Sequence, residues 1–361
     1  MNTADYLIVG HGVAGAVLAR TLANRGAQVV VAGAPDQPTA SLVAAGIVNP
    51  LTGRKLVKTW KADELFPFLE AFYTRAEADC ETRFFHPLDI YRPYRSADER
   101  TRYLADTAQP DVARYVRPAA DDARYAPYIH NPFGGLTVTG AGWLDLPTYL
   151  AQSRRQLTDR HRYVPAVVRP TDLQPGPDSV GWQGTRFRKV IFCDGVGGQT
   201  NPFFSWLPFN PVKGQVLTVE VAHYPIENIV NQGVFVMPMA QTGAGEGRLL
   251  KIGATYSWHD LDWQTTDDGR QFLEKKVGEF LRVSYRIVGQ QAGIRPSTKD
   301  RRPFLGVHPD QPAVAIFGGL GTKGVSLAPY LAAGFADFLL EDKEILPEVN
   351  ISRYDSLYYR L

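Results

Sequence analysis

The stretch that most constrains the fold is residues 6–31, which reads YLIVGHGVAGAVLARTLANRGAQVVV. A short β-forming apolar run precedes three glycines at positions 10, 12 and 15, the spacing G-x-G-x-x-G. Apolar residues then recur at helical spacing as far as Gly26, and a second β-branched run follows. A strand, a glycine turn, a helix and a strand within about 30 residues are typical of a dinucleotide-binding unit.

Each glycine of this turn has a physical role in such a unit. Gly10 allows the tight turn, Gly12 lets the backbone approach a pyrophosphate, and Gly15 lets the helix pack closely on the sheet. The start of the helix, at Val13 and Ala14, presents free N–H groups and a positive dipole end. We therefore predict that these five residues hold a dinucleotide, against the alternative of a glycine turn without a ligand.

The acid that should follow the second strand is missing. In dinucleotide-binding units this acid binds the adenosine ribose hydroxyls, but here the strand continues as Ala-Gly-Ala-Pro at residues 32–35. Gly33 stands at the acid's position, and the first acid is Asp36. Either Asp36 reaches back from the loop, or backbone groups hold the ribose.

Composition excludes several classes of function. The 39 basic and 37 acidic residues leave a net charge of only +2, so we expect neither a nucleic-acid partner nor an anionic membrane surface. Two cysteines, Cys80 and Cys193, support neither a disulfide framework nor a cysteine-rich metal site. Because a strand begins at Tyr6 and no apolar run approaches 18 residues, we expect a cytoplasmic protein without a signal peptide.

Elsewhere in the chain, segments with helical spacing alternate with segments that have the pattern of β-strands. Helical spacing predicts helices over residues 62–81 and 327–340, whereas several strands follow one another between residues 214 and 256. We predict an α/β mixed fold: a Rossmann-like cofactor-binding domain with an interleaved substrate domain built on a mixed β-sheet. The predicted cofactor domain comprises residues 1–55, 142–200 and 291–361, and the predicted substrate domain comprises residues 56–141 and 201–290.

Candidate catalytic residues are mostly isolated cations. The sequence contains no G-x-S-x-G, H-E-x-x-H or C-x-x-C motif, and its seven histidines form no pair at metal-ligand spacing. Arg295 fits a carboxylate ligand, since a planar guanidinium forms two parallel hydrogen bonds with it, but a salt bridge to Asp300 is an equal alternative. Either Arg54 or Lys58 is a further candidate to face a ligand, or both are solvated loop charges.

Several segments together resemble one class of flavoproteins. Besides the first glycine turn, they are AAGIVNP at 44–50, IFCDG at 191–195, GIRP at 293–296 and GTKG at 321–324. Their order resembles that in the D-amino acid oxidase (glutathione reductase type 2) family. Within it the chain is most similar to glycine oxidase, to sarcosine oxidase and to the oxidoreductase half of the bifunctional tRNA methylaminomethyl-uridine enzyme.

This resemblance implies a cofactor and a reaction. The cofactor is FAD, and no cysteine matches the covalent-flavin cysteine of sarcosine oxidases, which favours non-covalent binding. The expected reaction is oxidation of a small amine or amino acid by hydride transfer to flavin N5. The imine product is then hydrolysed, and O₂ or another electron acceptor reoxidises the flavin. The alternatives are an RNA-modification oxidoreductase acting on a carboxymethylaminomethyl base and a flavin-binding protein without turnover.

The resemblance also implies roles for individual residues. Arg295 matches a carboxylate-binding arginine, Lys323 lies where it would stabilise negative charge near flavin N1–C2=O, and Tyr256 lies on a segment that would line the substrate face. Tyr91, Met237 and Trp258 lie on similar segments, with a place in the core as the alternative. The remaining cofactor contacts implied are Ser41, Ala45, Gly46, Val167, Asp194, Gly195, Gly319, Gly321, Thr322, Lys323 and Gly324.

The chain departs from the family pattern at three places. The ribose acid is absent at Gly33, and Cys193-Asp194-Gly195 replaces the usual small-residue motif after its strand. Thr322 stands where glycine oxidase has an arginine. This last departure puts a substrate clamp of two cations in doubt.

Overall fold

The structure is a computed structural model that describes residues 2–53, 55–118, 122–240 and 247–360. Arg54, one of the two loop cations proposed above, lies outside the described residues. The strands are β1 Asn2–Val9, β2 Val29–Ala32, β3 Ile47–Val48, β4 Leu51–Thr52, β5 Val57–Lys58, β6 Phe85–Pro87, β7 Ile90–Pro93, β8 Val116–Pro118, β9 Gly135–Val138, β10 Gly142–Leu144, β11 Tyr163–Val164, β12 Gln174–Pro175, β13 Val180–Trp182, β14 Thr185–Phe192, β15 Val212–Val221, β16 Ile229–Asn231, β17 Phe235–Pro238, β18 Arg248–Gly253, β19 Arg286–Arg295, β20 Phe304–His308 and β21 Gln311–Gly318.

Helices connect many of these strands, and α1 and α8 pack on sheet strands. The α-helices are α1 Val13–Asn24, α2 Ala40–Val43, α3 Ala62–Cys80, α4 Ala97–Asp106, α5 Pro110–Ala113, α6 Asp122–Tyr125, α7 Leu146–Asp159, α8 Asp267–Gly278, α9 Gly324–Glu341 and α10 Asp355–Tyr358. Short 3-10 helices lie at Pro170–Asp172, Gly195–Gln199 and Ile351–Tyr354. Within the described part of the chain, no helix has the length and apolar character needed to cross a membrane.

Sheet I carries the first glycine turn at one edge. Its centre is parallel, in the order β11-β2-β1-β14-β21, and β12, β13 and β20 add antiparallel strands. Parallel strands end at the same edge of a sheet, and Val9 is in register with both Ala32 and Phe192. The residues that follow these three strands, Gly10, Gly33 and Cys193, are therefore brought together.

Sheet II is the eight-stranded sheet β19-β15-β18-β17-β16-β7-β9-β8. Its pairs are antiparallel except for β16 and β7, which run in parallel. Since β15 and β19 are antiparallel neighbours with Val212 opposite Arg295, Arg295 lies beside the start of β15. The two sheets take alternating parts of the chain, which confirms the predicted mixed α/β fold with an interleaved second sheet.

Helix α9 is the buried helix of the fold. Leu327, Leu331 and Phe335 recur every four residues and are buried in one core cluster with α1 and α3. Pro329 lacks the N–H that would bond the Val325 carbonyl one turn earlier. The Tyr73 hydroxyl of α3 donates to that carbonyl instead, at 3.1 Å. A buried backbone acceptor thus stays satisfied although a proline interrupts the helical ladder.

The domain bounds stay a prediction. The segment at 62–80, which the prediction assigned to the substrate domain, forms α3 and packs on α9 beside sheet I. In addition β6, at 85–87, pairs with β10 in a small three-stranded sheet with β3. Residues 62–80 therefore contact α9, and residues 85–87 pair with β10; both α9 and β10 lie in ranges that the prediction assigned to the cofactor domain.

Replacement of Gly15 by alanine is expected to destabilise the fold. A Cβ on Gly15 would overlap the Gly10 carbonyl oxygen, which is backbone and has little freedom to move away. We expect a loss of about 1–3 kcal/mol in the free energy of unfolding, measured by urea denaturation.

The matched control for this variant is Gly334→Ala in the exposed part of α9. A Cβ at Gly334 meets no atom within 4 Å, so the better helix propensity of alanine is expected to add about 0.5–1 kcal/mol. Equal effects of the two alanine variants would contradict the close helix–strand contact.

Candidate active site

A cavity of about 980 Å³ lies between the carboxyl edge of sheet I and one face of sheet II. Its walls include the first glycine turn at residues 10–14 and a second glycine turn at residues 318–324. The segment at 37–47 and residues 193–197, directly after β14, also contribute. Of the residues predicted as cofactor contacts, together with Arg295 and Tyr256, all but Gly15 and Asp36 line the cavity. The predicted residues at the cavity are Gly10, Gly12, Val13, Ala14, Ser41, Ala45, Gly46, Val167, Asp194, Gly195, Tyr256, Arg295, Gly319, Gly321, Thr322, Lys323 and Gly324.

The first glycine turn is shaped by its neighbours on two sides. Gly10 has a φ of +104°, and a Cβ there would lie 2.5 Å from the Cys193 carbonyl oxygen, so only glycine fits. A Cβ on Gly12 would lie 3.2 Å from Ser41 Oγ. Ser41 Oγ accepts a hydrogen bond from the Val13 N–H at 3.0 Å. The start of α1 is thus open to the cavity and fixed by Ser41.

Ser41, which the resemblance implies as a cofactor contact, does not cap the short helix in which it lies. The cap of α2 is Thr39, whose hydroxyl accepts from the Leu42 N–H. Because Ser41 lies inside α2, its hydroxyl is free to reach across to α1. The sequence pattern did not indicate this contact, since the two helices are 28 residues apart at the bond.

Five charged side chains line the cavity within the described residues, and four of them are cations. Arg154 and Arg169 lie with Gly33 and Val167 among its walls, and Arg295 and Lys323 come from β19 and the second glycine turn. The single acid is Asp194, directly after β14. A cavity of this charge is suited to a ligand with several negative charges.

Asp194 is partly buried beside the first glycine turn. Burial raises the pKa of its carboxyl to about 6, and a hydrogen bond from Asn201 Nδ2 at 3.3 Å opposes that rise. His11, inside the turn, is also partly buried. Its removal from water lowers its pKa to about 4, with the charge of Arg154 acting in the same direction. Near neutral pH His11 is therefore uncharged, and Asp194 titrates within the physiological range.

Arg295 presents a guanidinium to the cavity without a carboxylate partner among the described residues. Its Nη1 and Nη2 atoms donate to the Thr255 carbonyl at 3.2 and 3.3 Å, and Nη1 lies 3.5 Å from the Lys213 carbonyl. The Tyr256 ring packs against the guanidinium, with 4.3 Å between Cζ and the ring centroid. Burial lowers the pKa of Arg295, which reflects the cost of a charge held away from water.

The salt bridge considered for Arg295 is absent from the described structure. Asp300 pairs with Arg353 at 3.0 Å and accepts from the Arg302 backbone N–H. Space for Arg295 comes instead from Gly214 on β15, where a Cβ would overlap the guanidinium. Gly214 was not among the predicted site residues, because its role depends on the register of β15 with β19.

Lys323, the cation of the second glycine turn, is also without an acidic partner among the residues described. Its ammonium donates to Thr59 Oγ1 at 3.1 Å and lies 3.5 Å from Thr52 Oγ1. Burial lowers the pKa of Lys323, and the charges of Arg302 and Arg301 lower it further. An anionic or electron-rich group in the cavity would therefore be stabilised by Lys323. Lys58, the other loop cation considered, pairs with Asp63 outside the cavity walls.

The remaining substrate-face candidates lie away from the cavity. Tyr91 and Met237 are buried in two core clusters, and Trp258 is 55% exposed outside the cavity walls. The sequence predicted strands between residues 214 and 256, but it did not predict which faces of those strands meet a ligand. The cavity walls include five residues that were not predicted. Four of them come from sheet II, and the fifth lies in the loop between β18 and α8: Gly214, Val216, Asn231, Phe235 and Trp263.

Comparison with known proteins identifies the family. A sequence model described as FAD dependent oxidoreductase matches residues 5–338 of the chain. The chain belongs to the family of FAD-dependent oxidoreductases. The predicted recognition, the enzyme class and the FAD cofactor are thereby confirmed.

Individual relatives are more distant. The chain is 27% identical to the bifunctional tRNA 5-methylaminomethyl-2-thiouridine biosynthesis protein of Marinobacter nauticus, covering 96% of this chain and 57% of that protein. It is 30% identical to glycine oxidase of Bacillus subtilis over 43% of this chain and 42% of that protein. The chain thus spans about half the length of the curated relatives that it matches first. The crystal structure of glycine oxidase from Bacillus cereus shares the fold, with a TM-score of 0.78, 20% identity and coverage of 95% and 96% of the two chains.

The cavity suits FAD on physical grounds of its own. The helix start at Val13 and the glycines before it form a turn that a Cβ would fill, as a pyrophosphate site requires. Cationic side chains dominate the cavity walls, which matches the negative charge of the cofactor. We expect the first glycine turn to hold the pyrophosphate and the second to face the flavin.

Binding of FAD is expected to weaken as the pH rises through about 6. The Asp194 carboxyl, with its pKa raised to about 6 in the free protein, is neutral below that pH and anionic above it. Above it, the anion opposes a pyrophosphate at the neighbouring turn, and the dissociation constant rises until the pKa of the complex is reached. We expect a rise of roughly tenfold or more from about pH 6 to about pH 8, measured by flavin fluorescence titration.

The matched control is Asp194→Asn, which keeps the size of the side chain and removes its charge. Its dissociation constant is expected to stay flat over the same range, near the low-pH value of the unchanged protein. Neither His11 nor Cys193 accounts for such a profile, since burial lowers the pKa of His11 to about 4 and raises that of Cys193 well above its usual value. The same pH slope in both proteins would contradict the role of Asp194.

Proposed function

We propose that the protein oxidises a small amine or amino acid that carries a carboxylate next to the amine. The observation that supports this most is Arg295, a largely buried guanidinium in the cavity wall with no acidic partner among the described residues. An isolated buried charge is unfavourable unless a ligand compensates it. A substrate carboxylate forms two parallel hydrogen bonds with a guanidinium and so supplies that compensation.

The arrangement around Arg295 determines what this chain contributes to the reaction. When bound, FAD supplies the hydride acceptor, and the protein supplies orientation and electrostatics. Arg295 holds the carboxylate, and Tyr256 packs on the guanidinium and limits its movement. A carboxylate fixed at two points restricts the neighbouring C–H to a small range of directions, which is the main requirement of hydride transfer.

The same charges favour the reactive form of the amine. An amine must be neutral before a hydride leaves the adjacent carbon, and a nearby positive charge lowers an amine's pKa. Arg295 and Lys323 provide positive charge, and Asp194, the single acid lining the cavity in the described structure, follows strand β14 of sheet I. The substrate amine can therefore lose its proton to solvent without a dedicated base in the protein.

The named relatives support a narrower substrate class. Glycine oxidase and an iminodiacetate oxidase from Chelativorans sp. BNC1, whose fold matches with a TM-score of 0.73, are named for substrates with an N–CH₂–COO⁻ unit. We infer that the cavity takes this unit, with Arg295 on its carboxylate. After turnover, O₂ or another acceptor reoxidises the flavin.

A second candidate function follows from the relative in Marinobacter nauticus, which matches over 96% of this chain. The Marinobacter nauticus protein is named for tRNA 5-methylaminomethyl-2-thiouridine biosynthesis. A carboxymethylaminomethyl base contains the same N–CH₂–COO⁻ unit, so the Arg295 contact would serve this substrate as well. The net charge of +2 gives little electrostatic support for binding a whole tRNA. Salt-dependent tRNA binding, together with flavin reduction by the modified base alone, would favour this candidate.

Anaerobic mixing tests the main proposal. The purified yellow protein is mixed without O₂ with glycine, sarcosine, iminodiacetate and other small amino acids, and the flavin absorbance is followed. We expect bleaching by at least one compound with the N–CH₂–COO⁻ unit, and return of the colour on admission of air or an artificial acceptor. If no compound of the panel reduces the flavin, the proposal is wrong and a flavin-binding role without turnover gains support.

Replacement of Arg295 is expected to impair carboxylate substrates selectively. Arg295→Ala removes a charge-assisted pair of hydrogen bonds, so apparent substrate affinity should fall by about 10- to 100-fold. Arg295→Lys keeps the charge without the planar fork and should recover part of this loss. The measurement is the substrate dependence of anaerobic flavin reduction.

Two controls separate binding from folding in this experiment. At a pH above the pKa of the free amine, where its protonation no longer depends on Arg295, the corresponding amine without a carboxylate should reduce Arg295→Ala and the unchanged protein at similar rates. Gly214→Ala, which crowds the guanidinium but keeps its charge, should weaken carboxylate substrates in the same direction. Unchanged affinity for the carboxylate substrate in Arg295→Ala would refute its role as the carboxylate ligand.

A further inference from the structure

The end of β2 has no room for the acid that usually holds an adenosine ribose. A Cβ on Gly33 would lie 2.8 Å from His11 Cβ and 3.1 Å from the Tyr163 hydroxyl oxygen. Any side chain at position 33 would therefore displace one of these two residues. Asp36, the nearest acid in sequence, is exposed and outside the cavity walls. The missing acid is thus a consequence of local packing and is not compensated by the next loop.

Tyr163 occupies the space beside Gly33. It lies on β11, which pairs with β2, and its hydroxyl donates to the Gly33 carbonyl at 3.0 Å. The His11 ring packs edge-on against the Tyr163 ring with 5.4 Å between their centres, and His11 Nε2 lies 3.1 Å from Ser153 Oγ on α7. These contacts fix the Tyr163 hydroxyl at the cavity wall.

Arg154 brings a cation to the same corner. It lies one residue after Ser153 on α7, is exposed, and lines the cavity together with Tyr163. Its charge acts on both neighbours: it adds to the effect of burial in lowering the pKa of His11, and it opposes the burial-driven rise in the pKa of Tyr163. In the described structure no carboxylate lies within salt-bridge distance of Arg154.

We propose that Arg154 and the Tyr163 hydroxyl hold the adenosine ribose of FAD in place of the missing acid. Dinucleotide sites of this topology place the ribose at the end of the second strand, which here is the corner formed by Gly33, Tyr163 and Arg154. A carboxylate accepts hydrogen bonds from both ribose hydroxyls, whereas a guanidinium only donates. Arg154 therefore donates to a ribose oxygen, whereas the Tyr163 hydroxyl, whose hydrogen is directed at the Gly33 carbonyl, accepts from a ribose hydroxyl.

The replacement of an acid by an arginine affects which adenosine nucleotides the subsite accepts. An acid at the end of β2 repels a phosphate on the ribose, whereas an arginine at that position accommodates it. The corner contains Arg154, with Arg169 also in the cavity wall, and no acid among the described lining residues there. Adenosine with a phosphate on its ribose should therefore bind at least as well as adenosine without one.

The first test compares FAD with FMN, which lacks the adenosine. Flavin is removed from the purified protein, and each flavin is titrated back while its fluorescence is followed. Arg154→Ala and Tyr163→Phe should each raise the dissociation constant of FAD about tenfold and leave that of FMN within about twofold. Arg155→Ala is the matched control, because Arg155 is 75% exposed, pairs with Asp159 and lies outside the main cavity.

Each outcome of this titration supports or contradicts a contact of Arg154 and Tyr163 with the ribose. Equal weakening of FAD and FMN would show that Arg154 and Tyr163 act only on the fold, and unchanged FAD affinity would show that neither contacts the ribose. Asp36→Ala should leave FAD affinity unchanged; a selective loss of FAD affinity in that variant would assign the ribose to Asp36 instead.

The second test needs no variant and holds even if Arg154→Ala fails to fold. Adenosine 5′-monophosphate and adenosine 2′,5′-bisphosphate are compared as competitors of FAD for the flavin-free protein. The bisphosphate should compete at least as strongly as the monophosphate, and more salt should reduce its advantage. Much weaker competition by the bisphosphate would show that an acid holds the ribose and would overturn the proposal. The result does not depend on the substrate proposed above, since neither experiment requires turnover.

Discussion

The close contact between helix α1 and strand β1 is the constraint on which the site depends. Gly15 brings the helix backbone against the Gly10 carbonyl, and Gly10 in turn lies against the Cys193 carbonyl of the neighbouring strand. The backbones at Gly15, Gly10 and Cys193 meet here without side chains between them. The start of the helix therefore points into the space at the carboxyl edge of sheet I. A larger residue at either glycine would move the helix and remove the anion-binding end of the cavity.

The cationic side chains of the cavity have an unfavourable electrostatic free energy, which a bound anionic ligand lowers. Arg295 and Lys323 are largely buried with only neutral partners described for them, so both are held at a cost in folding stability. Asp194 is the single acid among the described lining residues, and burial raises the pKa of its carboxyl to about 6. An anionic cofactor and an anionic substrate therefore stabilise the folded protein as they bind. This trade of stability for binding is common at functional sites.

The features that the sequence predicted correctly are those determined by residues close to one another along the chain. The strand, glycine turn and helix at residues 2–24, the long helices α3 and α9, and Arg295 as a cation at the cavity were all accessible from spacing and residue type. Contacts between distant segments were not. Ser41 reaches α1 and Gly214 makes room for Arg295 only because of packing and strand register. Tyr256 was identified, whereas Asn231, Phe235 and Trp263 were missed, because sequence alternation does not show which face of a strand meets the cavity.

The distribution of charge around the cavity separates two kinds of specificity. Arg154 lies beside the end of β2 with Tyr163, and Arg295 lies on β19 of the other sheet, so the two cations belong to different structural units. Changes at the first should alter the choice between flavins with and without adenosine, and changes at the second should alter the choice between amines with and without a carboxylate. Since the two sites share no side-chain partner among the described contacts, their effects should be nearly additive. The fold thus allows substrate preference to change while the cofactor site stays intact.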